Sequence, residues 1–236
     1  MLTALALIPT IVLLVYIYKK DKKEKEPVKL LLKCFFWGAL TIIPASALEI
    51  LEEVLFEDSM TVGSLFYALF DGFLVAALSE ELFKYLALKH NIKKSPEFNC
   101  TFDGIVYSVF VSLGFATFEN IMYVWDSGIS TALMRMVTAV PGHMCDAVYM
   151  GYFYSKARYA ILKGNKKESK QNRRLALLIP ILAHGLYDAL LSMEEEVAGE
   201  ALTDLAFLLW VVFVIFLFIF TFKFINKASK EDEYMF

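Results

Sequence analysis

Seven mostly apolar stretches, at approximately 2–18, 30–51, 62–88, 102–125, 132–160, 175–193 and 203–224, constrain this chain more than any other feature. A helix needs about 20 such residues to cross a bilayer. The expected fold class is therefore all-α: a polytopic membrane helix bundle of about seven transmembrane helices, forming one domain over 1–236. Composition agrees, since the chain is 58% hydrophobic with a mean hydropathy of +0.55, whereas soluble domains sit near about 45–50% apolar.

The loops supply an orientation. Lys19, Lys20, Lys22, Lys23, Lys25 and Lys29 follow the first stretch, and the acids Glu52, Glu53, Glu57 and Asp58 follow the second. Lys89, Lys93 and Lys94 come next, then a short loop with Asp126, then a basic run from Lys156 to Arg174. Glu194, Glu195, Glu196 and Glu200 precede the last stretch, and Lys223, Lys227 and Lys230 close it. This unbroken alternation is what the positive-inside rule expects of seven spans. It puts the N-terminus outside and the C-terminus in the cytosol, with Arg135 near the outer side at the start of the fifth span. The first stretch lacks a basic start and is followed by lysines, which reads as a retained anchor rather than a signal peptide. Net charge is −3 with no basic block, so nucleic acid is not an expected partner. Three cysteines, Cys34, Cys100 and Cys145, with no CxxC pair read as free thiols.

The spans also hold groups that lipid disfavours. An ion at the centre of a membrane helix costs roughly 2.5–3.5 kcal/mol on insertion scales. Yet the third span carries Asp71, Glu80, Glu81 and Lys84, the fourth Asp103, Glu119 and Asn120, the fifth His143 and Asp146, and the sixth His184 and Asp188. The first, second and seventh are nearly free of charge at depth. A polar site enclosed by spans three to six, a core of about 62–193, follows, with the others as lipid-facing cladding. Glu80 and Lys84 are four apart on one helix face. Glu81 lies about 100° around from Glu80 and has no partner on its own face. The sequence "HGLYD" stacks His184 and Asp188 one turn apart, and His143 follows a Pro141-Gly142 break.

Two chemistries fit these groups. His143, His184 and Glu81 make a plausible zinc set with a position open to water. Without metal, a buried glutamate can act as general base toward water while histidines steady the oxyanion. Both lead to hydrolysis. HExxH and GxSxG are absent, and Cys145 projects roughly opposite His143 on one helix, which disfavours a cysteine dyad. The alternative function is an ion- or proton-coupled transporter using the Glu/His/Asp groups as a relay. Counting about 1.5 Å per residue from the cytosolic ends puts Glu81 and His184 at similar depth, with Glu119 and His143 nearer the outer face. His184 is therefore the expected neighbour of Glu81, and His143 is the less secure member.

Four blocks carry a family resemblance. "SEELFKYLAL", "FDGIVYSVFVSLGFATFENIMY", "GHMCDAVYMGYFYSKA" and "AHGLYDALL" resemble, in order, the EExxK block, DG-x-x-Y with GFA-x-x-EN, a histidine followed by DA-x-x-x-GY, and the HxxxD block of the PrsW family of bacterial intramembrane proteases. That family is distantly similar to the CAAX-prenyl endopeptidases. The resemblance implies a multi-pass protease of the bacterial plasma membrane acting on membrane-anchored proteins, anti-sigma factors among them in stress responses. It makes Glu80, Glu81, His143 and His184 catalytic, with Lys84, Glu119, Asn120, Asp146 and Asp188 supporting them. In that reading Glu81 is the general base, Glu80 assists while held by Lys84, and Asp188 fixes the His184 tautomer. The cofactor is zinc, or none if the mechanism is of the glutamate type.

Overall fold

The computed structural model describes residues 2–56 and 60–236, so the loop acids Glu57 and Asp58 lie outside the described residues. The chain is helical throughout: α1 (Leu2–Lys20), α2 (Val28–Leu40), α3 (Ile42–Phe56), α4 (Leu65–Phe70), a π-helical segment (Asp71–Ala77), α5 (Leu78–Ile92), α6 (Asp103–Val137), α7 (Ala139–Leu162), α8 (Lys166–Leu191), the short α9 (Glu195–Ala198) and α10 (Glu200–Lys230). Among the described residues no strand forms, and one isolated bridge joins Cys100 to Tyr234. Val28–Phe56, Asp103–Trp125, Lys166–Leu191 and Glu200–Lys230 are long and apolar enough to cross a membrane. They match the second, fourth, sixth and seventh stretches. The first, third and fifth stretches are helical too but are not among these four; the third carries Asp71, Glu80, Glu81 and Lys84 along its length.

The bundle is built around α6. Residues 102–117 are buried without exception, and α1, α2 and α7 pack on them. Apolar helices do not attract one another in lipid by excluding water, so close backbone packing has to hold them. Glycine permits that approach here. A Cβ on Gly38 of α2 would stand 1.9 Å from the Val111 carbonyl oxygen of α6, and one on Gly114 would stand 2.0 Å from that of Phe35. α10 lies outermost, with Phe207, Leu208, Ile215 and Phe216 exposed, as expected of a lipid-facing helix.

The basic and acidic loops sort to opposite ends. At the basic end the C-terminal tail pairs with the loop before α6, through Thr101 N–H to the Glu233 carbonyl at 3.0 Å and Met235 N–H to that of Asn99 at 2.8 Å. Arg158 of α7 reaches the Lys93 carbonyl there, and Ser229 of α10 donates to that of Lys20. At the acidic end Glu194 N–H donates to the Gly63 carbonyl at 3.1 Å.

Between α1 and α2 the chain folds back so that Asp21 and Glu26 are only 0% and 3% exposed. Burial pushes the Asp21 carboxyl up to about 6. Burial also raises that of Glu26, and the neighbouring Asp103 carboxyl adds to the rise. Both lie above the ordinary carboxylate values of about 3.9 and 4.3. The stability associated with them is therefore complete below about pH 4 and is lost as pH rises through their folded values. Glu26→Gln is accordingly expected to melt higher than the wild type, by a margin that widens between about pH 5 and pH 8. Thermal unfolding across that range is the check, and a margin independent of pH would contradict it.

Two features differ from the sequence expectation. The membrane-long part of α6, Asp103–Trp125, ends where the sequence expects, and the rest of α6 is a second helical piece that follows a break at Gly128, φ 81°, ψ −162°. Only glycine adopts that conformation readily. Arg135 sits in that short piece between Gly128 and Thr138, not within α7. The Pro141-Gly142 pair is not a break at depth either, since it sits in the first turn of α7, where proline is tolerated. The break lies just before it, at Thr138, φ −120°, ψ −71°.

Candidate functional site

The π-helical segment shifts the register immediately before α5, a distortion common beside functional sites. Gly72 within it lies so close to α8 that a Cβ would stand 2.7 Å from the Gly185 carbonyl oxygen. That contact fixes the first turn of α5, which bears Glu80 and Glu81, beside His184 on α8.

Lys84 is the hub. Its Nζ donates to Glu80 Oε2 at 2.8 Å, to Glu81 Oε1 at 2.8 Å and to His143 Nδ1 at 3.1 Å. An ammonium has three donors, and three acceptors take them. The ammonium also lies 4.2 Å from the Phe115 ring centroid, a favourable cation–π contact. The sequence assigns Lys84 to Glu80 alone. In the fold Lys84 holds both glutamates, because a side chain at i+4 of one and i+3 of the other can reach across the turn.

The histidines are each fixed from outside. His143 Nδ1 accepts from Lys84, so its Nε2 carries the proton and donates to Glu119 Oε2 at 2.8 Å. Glu119 Oε1 in turn lies 2.8 Å from Arg135 Nη2. His184 has Nδ1 3.0 Å from Glu81 Oε1 and Nε2 3.0 Å from Asp188 Oδ2. A neutral imidazole has one N–H; two carboxylates facing its two nitrogens require one more shared proton. The two rings meet edge to face with centroids 5.2 Å apart. Glu81 is 0% exposed, His143 5% and His184 6%. One atom stands out: Glu81 Oε2 is buried without a hydrogen-bond partner.

Glu80, Glu81, His143 and His184 each offer a donor atom, and all four atoms lie within 4.8 Å of one another. Glu119 and Asp188 back the two rings as the outer carboxylates of a metal-bound histidine would. The donor set fits a zinc-like ion on these grounds, although the Lys84 ammonium addresses three of the same residues.

His143, placed at a different depth by residue counting, is thus a full member of the cluster. Asp146, three residues on, is buried with Oδ1 unpartnered and makes no hydrogen bond to the four. The side chain of Asn120 does not join them: its Nδ2 donates to the Ala6 carbonyl at 3.0 Å and ties α6 to α1. Two contributors escape a sequence reading. Arg135 is brought to Glu119 by the bend at Gly128, and Glu49 of α3, whose Oε1 is buried without a hydrogen-bond partner, lies near Glu80 and Glu119. A lone basic residue on the otherwise acidic side was the one signal pointing to Arg135.

A model of the PrsW family of intramembrane metalloproteases matches residues 26–220. The chain is 36% identical over 215 residues to a protein named Protease PrsW from Clostridioides difficile, covering 88% of this chain and 86% of that one. It is 35% identical over 188 residues to the protein of that name from Geobacillus kaustophilus (80% and 78%), and 35% over 202 residues to that from Bacillus subtilis (86% and 88%). No solved structure matches the chain.

Proposed function

This chain belongs to the PrsW family of intramembrane proteases, and from that premise we propose that it cleaves membrane-anchored proteins with Glu81 as general base on a water molecule. The observation that carries this reading is Glu81 itself. It is wholly buried, held through Oε1 by Lys84 and His184, and has Oε2 free to accept a proton. Glu80 shares the Lys84 ammonium, which keeps the pair of acids tolerable in one turn. Asp188 orients His184, and the two histidines position the water beside Glu81 and would stabilise the oxyanion once substrate displaces one of their present partners. His143, locked by Glu119 and Arg135, accepts from Lys84 and fixes where that ammonium points. Asp146 supports the cluster electrostatically, and Asn120 supports the helix packing behind it. When a metal is bound, His143, His184 and Glu81 would hold it, and it would supply Lewis-acid activation of water.

The seven-span topology, with the basic end in the cytosol of a bacterial plasma membrane, is part of the same proposal and is supported by the sorting of basic and acidic loops. So is a membrane-bound anti-sigma factor as the substrate, which rests on the family resemblance. The transporter alternative is not favoured by the comparisons.

Purified protein in proteoliposomes with a membrane-anchored anti-sigma factor should release a shortened product. Asp188→Asn should slow that release by about 100-fold or more, as expected when a catalytic imidazole loses its orienting carboxylate, without lowering expression. Intact substrate with the wild type, or full activity in the variant, would count against the reading.

A further inference from the structure

Below the catalytic cluster α5 carries a second concentration of charge, of one sign only. Where it approaches the basic end it faces α2 across an open groove of about 690 Å³. Lys33 of α2 and Lys89, Lys93 and Lys94 around the end of α5 line it, and no acidic side chain does. Among the described residues none of these four lysines makes an ion pair. Arg158 of α7 adds another cation at the lip, where it donates to the carbonyls of Lys93 and Ser95 at 3.3 and 3.5 Å.

The rest of the groove is mixed, with His90, Asn91 and Ser95 beside two leucines. Leu30 and Leu86 form its walls, and Leu86 is 43% exposed. Asn91, 7% exposed, also lines it with Oδ1 lacking a hydrogen-bond partner. A small water-soluble anion would account for the lysines but not for leucine walls. A bare acyl chain would account for the leucines but leave four cations uncompensated. A phosphate joined to acyl chains meets both.

We propose that the groove between α2 and α5 binds the headgroup phosphate of an anionic phospholipid. Lys33, Lys89, Lys93 and Lys94 hold the phosphate oxygens, and Leu30 and Leu86 lie along the first methylenes of the acyl chains. Asn91 Oδ1 is an acceptor for a headgroup hydroxyl. A zwitterionic lipid would bring its own ammonium among four lysines and is the weaker ligand. Because Glu80, Glu81 and Lys84 lie on the same helix, an occupied groove also sets the depth of the catalytic turn.

The test is native mass spectrometry of the full-length protein released from nanodiscs of phosphatidylcholine with a minor share of phosphatidylglycerol. The wild type should retain one phosphatidylglycerol in preference to phosphatidylcholine. Each lysine near an anionic headgroup strengthens binding about fivefold, so Lys33→Gln and Lys93→Gln should each lower retention by roughly that factor. The fourfold glutamine variant of Lys33, Lys89, Lys93 and Lys94 should lose it. A matched variant, Lys166→Gln with Lys167→Gln and Lys170→Gln in the exposed start of α8, should retain the lipid as the wild type does. Equal retention in the groove variants would overturn the proposal, as would equal loss in the α8 variant. Displacement of the lipid by inorganic phosphate alone would identify a small-anion site and overturn it too. Lys33 and Lys93 are exposed, so the single variants remain informative if the fourfold variant fails to fold.

Discussion

Glu81→Gln is expected to lower cleavage of a membrane-anchored substrate by at least about 100-fold, the lower end of what a positioned general base contributes. Glutamine preserves the size of the side chain and one acceptor, so Lys84 and His184 can keep their places. What disappears is the basic oxygen. Glu80→Gln is the matched control, because it too removes one of the two carboxylates held by Lys84 at 2.8 Å. Similar thermal stability in the two variants with a much larger activity loss in Glu81→Gln would isolate proton abstraction from packing. Equal losses would mean that the two acids act as one charge, and full activity in Glu81→Gln would remove it from the chemistry.

Much of this arrangement was legible in the sequence, and the failures have identifiable physical causes. The pairing of Glu81 with His184 followed from an acid lacking a helical partner and a histidine expected at similar depth, and the two lie 3.0 Å apart. The stacking of Asp188 on His184 followed from a four-residue spacing. His143 was misplaced because counting residues from the cytosolic ends treats all helices as starting in one plane. α5 ends at Ile92, while α7 runs from Ala139 to Leu162 and α8 begins with the polar turns KKESKQNRR. Those two helices therefore extend further toward the basic end, and equal counts do not mean equal depths. Arg135 was expected at the start of the fifth span and lies instead in the short helical piece between Gly128 and Thr138, because backbone torsions at those two residues leave no periodic trace in hydropathy. Gly38, Gly72 and Gly114 carry little pattern either; the need for glycine at each is visible only when the facing backbone is in place.

Lys84→Met should be the most destabilising single change in the site. Removing one partner of a buried ion pair costs about 3–5 kcal/mol, because the remaining charge is left without compensation in a poor solvent. Here two carboxylates are stranded, on residues 0% and 7% exposed, and His143 Nδ1 loses its donor. Combining Lys84→Met with Glu80→Gln removes one of the stranded charges, so the double variant should recover part of the stability while remaining inactive. A Lys84→Met protein that melts like the wild type would show that the ammonium is not what makes the paired glutamates tolerable. The same variant bears on the metal. The ammonium contacts Glu80, Glu81 and His143, three of the four residues whose donor atoms converge within 4.8 Å, so protein cation and metal ion compete for one set of ligands. With the ammonium gone, zinc titration should show a single site filled more tightly in Lys84→Met than in the wild type. Unchanged affinity would mean that ammonium and metal do not draw on the same atoms.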